Sequence, residues 1–144
     1  MANSMTTLNR HQARQAAFQT LYSLGINPDA DIDTVLRQVL SGDPEVLWEG
    51  DLPQDVGTLV TAVRDHQDEL DLQISDYLAD GWTIDRLNVV DLALMRLAIY
   101  EGQSTETPKN VAINEALQLA HEFTNDDSRK FINAVLNKAL TEEQ

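Results

Sequence analysis

Cationic side chains near the two ends of the chain are the residues whose type and spacing best support a binding chemistry. Arg10 and Arg14 are four residues apart with His11 between them, and Arg129 and Lys130 are adjacent near the other end. Residues four apart on a helix share a face, so both guanidinium groups can reach one run of phosphates. If the chain ends meet in space, these residues would form a local basic patch.

The overall charge argues against a nucleic-acid partner. Twenty-four Asp and Glu residues face ten Lys and Arg residues, and the formal net charge is −14. Such an acidic balance normally disfavours polyanions, so the placement of the few cations matters more than their total. With 42% apolar residues in 144, the chain can bury a core, and we expect a single domain over residues 1–144.

Several kinds of chemistry are excluded or disfavoured by the sequence. It contains no cysteine, which excludes disulfides, thiol catalysis and Cys-based zinc sites. His121 and Glu122 lie near Asp126 and Asp127, but a second histidine and the HExxH pattern are missing, so a solvated helix end is the preferred interpretation. Glycine-rich phosphate loops and GxSxG elbows are also missing. We expect no enzyme, no metal and no cofactor.

The sequence also carries no membrane or export pattern. Its first residues lack the basic start and apolar stretch of a secretory signal. The most apolar run, Val89–Tyr100, contains Asp91 and Arg96 and is too short to span a bilayer. We therefore expect a cytoplasmic protein without a membrane partner.

Helices must position the candidate residues, because apolar residues recur at helical spacing almost everywhere and strand alternation is lacking. About six or seven helices are predicted. They cover Leu8–Leu24, Ile32–Leu40, Pro53–Asp80 as one helix or as two with a break in Arg64–Glu69, Leu87–Tyr100, a segment after Pro108, and a last one that begins in Asn125–Ser128. The sequence therefore predicts an all-α fold.

Finer expectations concern the centre of this fold. Leu87–Tyr100 is apolar on nearly every side, which is typical of the buried centre of a bundle. Arg96 interrupts it and is predicted to form an internal salt bridge. Thr107 is predicted to cap the next helix, on which Phe123 should pack in the core and Asn114 should make a buried hydrogen bond.

Four segments of the sequence resemble the NusB family. They are RHQARQAAFQTLYSLGI (Arg10–Ile26), LNVVDLALMRLAIYE (Leu87–Glu101), TPKNVAINEALQLAHEF (Thr107–Phe123) and DSRKFINAVLNKAL (Asp127–Leu140). They follow the order and spacing of the family's blocks, and AINEA and KFxNxVL are specific motifs. The resemblance extends over nearly the whole chain and leaves only Asp29–Asp80 unmarked.

This resemblance implies an all-α fold of two small packed helical lobes and a role as a transcription antitermination factor. Family members pair with NusE, a small-subunit ribosomal protein. The pair binds single-stranded boxA RNA in nascent transcripts, notably of rRNA operons, and helps RNA polymerase read through terminators. The elongation complex would be an indirect partner, and DNA none. Two alternatives stay open: a NusB-like module of an rRNA methyltransferase, and a helical module that binds only proteins.

By resemblance, the candidate RNA-binding residues lie on the helices at the two ends of the chain. They are Arg10, His11, Arg14, Tyr22, Ser128, Arg129, Lys130 and Phe131. Ser128 belongs to the start of the last helix, where free N–H groups favour phosphate. Tyr22 and Phe131 can either stack on a base or fill the core. Asp91 matches a family position associated with the NusE contact.

The first helix departs from the family pattern at two positions. His11 and Gln12 stand where relatives often carry Arg or Lys. The expected charge contribution of this helix is correspondingly lower. We therefore expect the chain alone to bind RNA weakly, with its basic partner supplying much of the positive field.

Overall fold

The computed structural model describes residues 8–141 with the exception of 44 and 46, and this part of the chain is all-α with no strand. Seven α-helices and one short 3₁₀ turn, Ile84–Arg86, are present in it. The helices are α1 (Arg10–Ile26), α2 (Ile32–Ser41), α3 (Gln54–Asp65), α4 (Gln67–Asp76), α5 (Val89–Ser104), α6 (Lys109–Phe123) and α7 (Asp126–Thr141). The predicted fold class is confirmed, and the long segment after Pro53 is two helices that break at His66.

The chain divides into two compact units. The first ends at Arg64 and the second begins at Asp65. α1, α2 and nearly all of α3 belong to the first unit, and α4 to α7 belong to the second. These units correspond to the two expected lobes, and their description as a single domain stays a prediction.

In the first unit, α1 packs against α2. The predicted apolar face of α1 is buried at Ala17, Leu21 and Leu24. α2 ends at Gly42, whose φ of 78° is the left-handed conformation that favours glycine at a helix C-terminus. The segment that follows is tied back by Arg37, whose guanidinium donates to the carbonyl oxygens of Trp48 and Gly50 at 2.7 and 2.9 Å.

In the second unit, α5 is the buried centre and packs against α4, α6 and α7. Leu94, Met95 and Ile99 on this helix are fully buried, which confirms the prediction for this segment. Gly102 allows a close approach between helices, because a Cβ atom there would lie 2.7 Å from Cδ2 of Leu140 on α7. The apolar character of α5 on nearly every side follows from its three helical neighbours.

A salt bridge joins α5 to α4. The Arg96 guanidinium donates two hydrogen bonds to the Asp71 carboxylate, at 2.7 and 2.9 Å. Both side chains are mostly buried, with 15% and 22% of their surface exposed. The predicted internal salt bridge of Arg96 is confirmed.

Three expectations for α6 are wrong. Pro108 rather than Thr107 precedes the helix, and Pro108 offers no side-chain cap. Asn114 is exposed, because it points away from the buried stripe of α6, which includes Ala112 and Ala116. Phe123 is 37% exposed, since it is the last residue of α6, where the packed face ends.

Candidate nucleic-acid interface

The start of α1 is organised by a capping box. The Asn9 side chain accepts a hydrogen bond from the Gln12 backbone N–H at 2.7 Å, and the Gln12 side chain accepts one from the Asn9 N–H at 3.0 Å. Reciprocal bonds of this kind satisfy two backbone donors at a helix start. Gln12 is therefore a structural residue here. The sequence analysis missed it, although a polar residue followed three positions later by Gln was a usable signal.

The cations of α1 follow this cap. Arg10 is the first residue of the helix and is exposed, whereas His11 in the same turn and Arg14 in the next turn are half-buried. The first turn of α1 contains no acidic residue. Positive charge at a helix N-terminus is unfavourable in itself, and an anionic ligand would offset that cost.

Tyr22 lies two helical turns beyond Arg14. Its ring centroid is 6.3 Å from that of Phe18, with the ring planes tilted by 40°. Phe18 is buried, whereas Tyr22 is half-buried. Tyr22 therefore contacts the core with one side and retains surface that a base can cover, so both interpretations of this residue stay open.

The start of α7 uses both donors of Ser128 within the protein. The Ser128 backbone N–H donates to the Asn125 side chain at 2.9 Å, which caps the helix. The Ser128 hydroxyl donates to Oδ2 of Asp91 on α5 at 3.1 Å. A phosphate can therefore bind Ser128 only by replacing one of these acceptors.

Asp91, the residue predicted to contact the partner protein, is only 6% exposed. Its Oδ2 accepts the bond from Ser128, while its Oδ1 is buried without a hydrogen-bond partner among the described residues. Burial raises the pKa of the Asp91 carboxyl above its ordinary value, and the hydrogen bond from Ser128 opposes part of that rise. The structure thus links the predicted partner-binding residue to a predicted RNA-binding residue.

Arg129 is held by two neighbours. Its Nη2 lies 2.9 Å from Oδ1 of Asp126, and its Nη1 lies 2.9 Å from Nδ1 of His121 at the end of α6. Lys130 is exposed, and Phe131 is half-buried. His121 and Glu122 lie near Asp126 and Asp127 in the sequence, but within the described part of the chain no three His, Cys, Asp or Glu side chains are grouped to hold an ion.

The candidate RNA-binding residues thus form two groups in different units, one on α1 and one at the start of α7. The α1 group has no acid in its first helical turn, whereas Asp126 and Asp127 lie in the first turn of α7. As a separate observation, no helix of the described residues combines the length and apolarity needed to cross a bilayer.

Comparisons with known proteins agree in sequence and in fold. The NusB family model matches residues 11–141. "Transcription antitermination protein NusB" of Levilactobacillus brevis is 46% identical over 138 residues, 95% of this chain and 96% of that protein. "T. maritima NusB" superposes with a TM-score of 0.79 at 28% identity, over 94% of this chain and 93% of that one.

A second solved structure supports the fold alone. A chain in the structure of "Antitermination Factors NusB and NusE in complex with dsRNA" superposes with a TM-score of 0.77 at 22% identity, over 92% of this chain and 96% of that one. The resemblance drawn from four motifs is confirmed by the family model and by the relatives, which extend across the segment that the motifs left unmarked. The chain belongs to the NusB family.

Proposed function

We propose that this chain is a transcription antitermination factor that binds single-stranded boxA RNA together with NusE. Acting on nascent transcripts, notably of rRNA operons, the pair would help the elongation complex read through terminators. The observation that carries the proposal is the 46% identity, over 95% of the chain, to a protein named for transcription antitermination. The two groups of cations on α1 and α7 supply the chemistry that an RNA ligand needs.

The proposed RNA contacts differ in how accessible they are. Arg10 and Lys130 are exposed and offer the most direct contacts to phosphate. His11 and Arg14 continue the cationic surface of α1 that begins at Arg10. The remaining contacts are Tyr22, Ser128, Arg129 and Phe131. The two aromatic rings are half-buried, so each would stack on a base with its open side. The hydroxyl of Ser128 would contact RNA only after its hydrogen bond to Asp91 is broken.

NusE has two roles in this proposal. It compensates the formal charge of −14, because a basic partner adds positive field next to the RNA. It also binds near Asp91, whose buried Oδ1 has no hydrogen-bond partner among the described residues. Pairing of Asp91 with a cation of the partner would remove the cost of that unsatisfied acceptor.

The factor acts by binding and not by catalysis, and we place it in the cytoplasm, where transcripts are made in bacteria. The methyltransferase-module alternative is disfavoured because the relative from L. brevis is named as a transcription antitermination protein. The other alternative, a helical module that binds only proteins, is tested by titration with RNA.

The test is a titration of labelled boxA RNA with the full chain, with and without NusE, over a range of salt concentrations. With at most about four phosphates neutralised at ~0.7 per contact, the slope of log K against log salt should not exceed about 3 in magnitude for the chain alone. NusE should tighten the binding and steepen the slope. Arg14→Ala and Lys130→Ala should each lower the slope of the ternary complex by about 0.7.

Lys138→Ala is the matched control, because Lys138 is another exposed lysine of α7, in the last turn of the helix. It should leave RNA binding unchanged. Failure to bind RNA in the presence of NusE would favour the protein-only module. Tight binding without NusE, unaffected by Arg14→Ala and Lys130→Ala, would place the RNA on another face.

A further inference from the structure

The contact between α6 and α7 at Arg129 brings a residue that is not among the candidate RNA-binding residues to the proposed RNA-binding face. His121 is on the last turn of α6, and its Nδ1 lies 2.9 Å from Nη1 of Arg129. Asp126 holds the other terminal nitrogen of the same guanidinium at 2.9 Å. The two contacts fix the plane of the guanidinium from two sides.

The chemistry of this contact determines the tautomer of His121. A guanidinium has donors only, so Nδ1 of His121 must be the acceptor in this hydrogen bond. An imidazole that accepts at Nδ1 is neutral and carries its hydrogen on Nε2. The His121 side chain is exposed, so its Nε2–H is a donor at the protein surface beside Arg129.

The guanidinium of Arg129 retains donors for a ligand. Of its five N–H groups, one is directed to Asp126 and one to His121. The side chain is 38% exposed, and the exposed Lys130 follows it in the sequence. An oriented guanidinium group with free donors binds a phosphate better than a mobile guanidinium group does, because less conformational freedom is lost on binding.

We propose that His121 is a positioning residue of the RNA-binding face, which orients the Arg129 guanidinium toward phosphate and adds its own Nε2–H as a further donor. This inference rests on the proposed RNA-binding function and extends the face from the start of α7 to the end of α6. It gives a function to His121, which the sequence alone would place at a solvated helix end.

The test compares His121→Ala with His121→Asn in the full chain, using labelled boxA RNA and NusE. His121→Ala should weaken RNA binding about fivefold, the range expected for lost hydrogen bonds. Asn offers an amide oxygen near the position of Nδ1, so His121→Asn should keep at least half of the wild-type affinity, within about twofold. Gln118→Ala, at an exposed position of the same helix, should bind RNA like the wild type.

A double-mutant cycle separates positioning from a general structural effect. In the Arg129→Ala background, His121→Ala should cost no more than about twofold, since its main target is already missing. Thermal melting should be the same for all variants. Wild-type affinity in His121→Ala, or an undiminished fivefold loss without Arg129, would overturn the inference.

The failure of this inference is distinguishable from failure of the proposed function. If the wild type binds RNA with NusE and Lys130→Ala weakens that binding while His121→Ala does not, only the role of His121 is wrong. If the wild type with NusE does not bind the RNA at all, the proposed function fails, and the inference fails with it.

Discussion

α5 and the start of α7 both contain an arginine paired with an aspartate, but the surroundings of the two pairs differ. Arg96 and Asp71 are 15% and 22% exposed, whereas Arg129 and Asp126 are 38% and 78% exposed. Arg96 donates two bonds to one carboxylate, while Arg129 divides its bonds between Asp126 and His121. Residue type alone does not separate a structural arginine from the one that we propose to bind RNA. The two arginines use the same number of donors and differ in solvent access.

The largest loss of stability should come from a substitution on α5, which is the buried one of these two regions. Leu94→Ala on α5 should lower the free energy of unfolding by about 2–5 kcal/mol, because Leu94 is fully buried and the truncation leaves a cavity. Urea unfolding measures this loss. Lys130→Ala should change stability by less than about 0.5 kcal/mol. A loss below about 1 kcal/mol for Leu94→Ala would mean that α5 is not the buried centre of the second unit.

A matched pair of substitutions tests the comparison directly. Arg96→Ala should destabilise the protein by about 2 kcal/mol, since it leaves the mostly buried Asp71 carboxylate without its partner. Arg129→Ala should cost less than about 0.5 kcal/mol in stability, because its ion pair is exposed, and should weaken RNA binding instead. Urea unfolding and RNA titration of both variants give the result. Equal losses of stability would invalidate the distinction between the two arginines.

The smallest effect concerns Asp91, and it depends on pH. Because burial raises the pKa of Asp91 in the folded protein, the folded state binds this proton more tightly than the unfolded state does. Its stabilising contribution is therefore complete below the unfolded pKa of about 3.9 and is lost as pH rises through the higher folded value. Relative to the wild type, Asp91→Asn should become more stable as pH increases from acid to neutral.

Urea unfolding of the wild type and Asp91→Asn across this pH range measures the difference. Other carboxyl groups contribute equally to both proteins and cancel in it. Asp80→Asn, at an exposed position outside the helices, is the control for the replacement of Asp by Asn itself. A difference for Asp91→Asn that does not depend on pH would show that the Asp91 carboxyl is solvated in both states.

The helices and the buried centre could be predicted from the sequence because the spacing of apolar residues reports which face of a helix is covered. The same logic explains Arg96, a charged residue in the middle of an apolar helix, which needs a partner when it is buried. Its partner, Asp71, lies 25 residues earlier and could not be identified, since spacing along one helix says nothing about which residue of another helix faces it.

The helix ends and the binding face were less predictable for a related reason. The capping box of Asn9 and Gln12 depends on the backbone turn before α1, and the exposure of Phe123 depends on where α6 ends. The contact between His121 and Arg129 joins two helices through a short connection. Motifs identified Arg129 as a cation, but only the packing of α6 beside α7 shows what orients it.

The close approach at Gly102 fixes the axial register of α7. The Gly102–Leu140 contact and the Asp91–Ser128 hydrogen bond join α5 to α7 at opposite ends of the two helices. Eleven residues separate these positions on α5 and twelve on α7, about 16 and 18 Å at 1.5 Å per residue, so the helices run parallel with matched lengths. A one-turn slide of α7 would break both contacts together. The first turn of α7 therefore has a fixed position along α5. A ligand that binds there must be accommodated by side-chain rotation instead of helix translation.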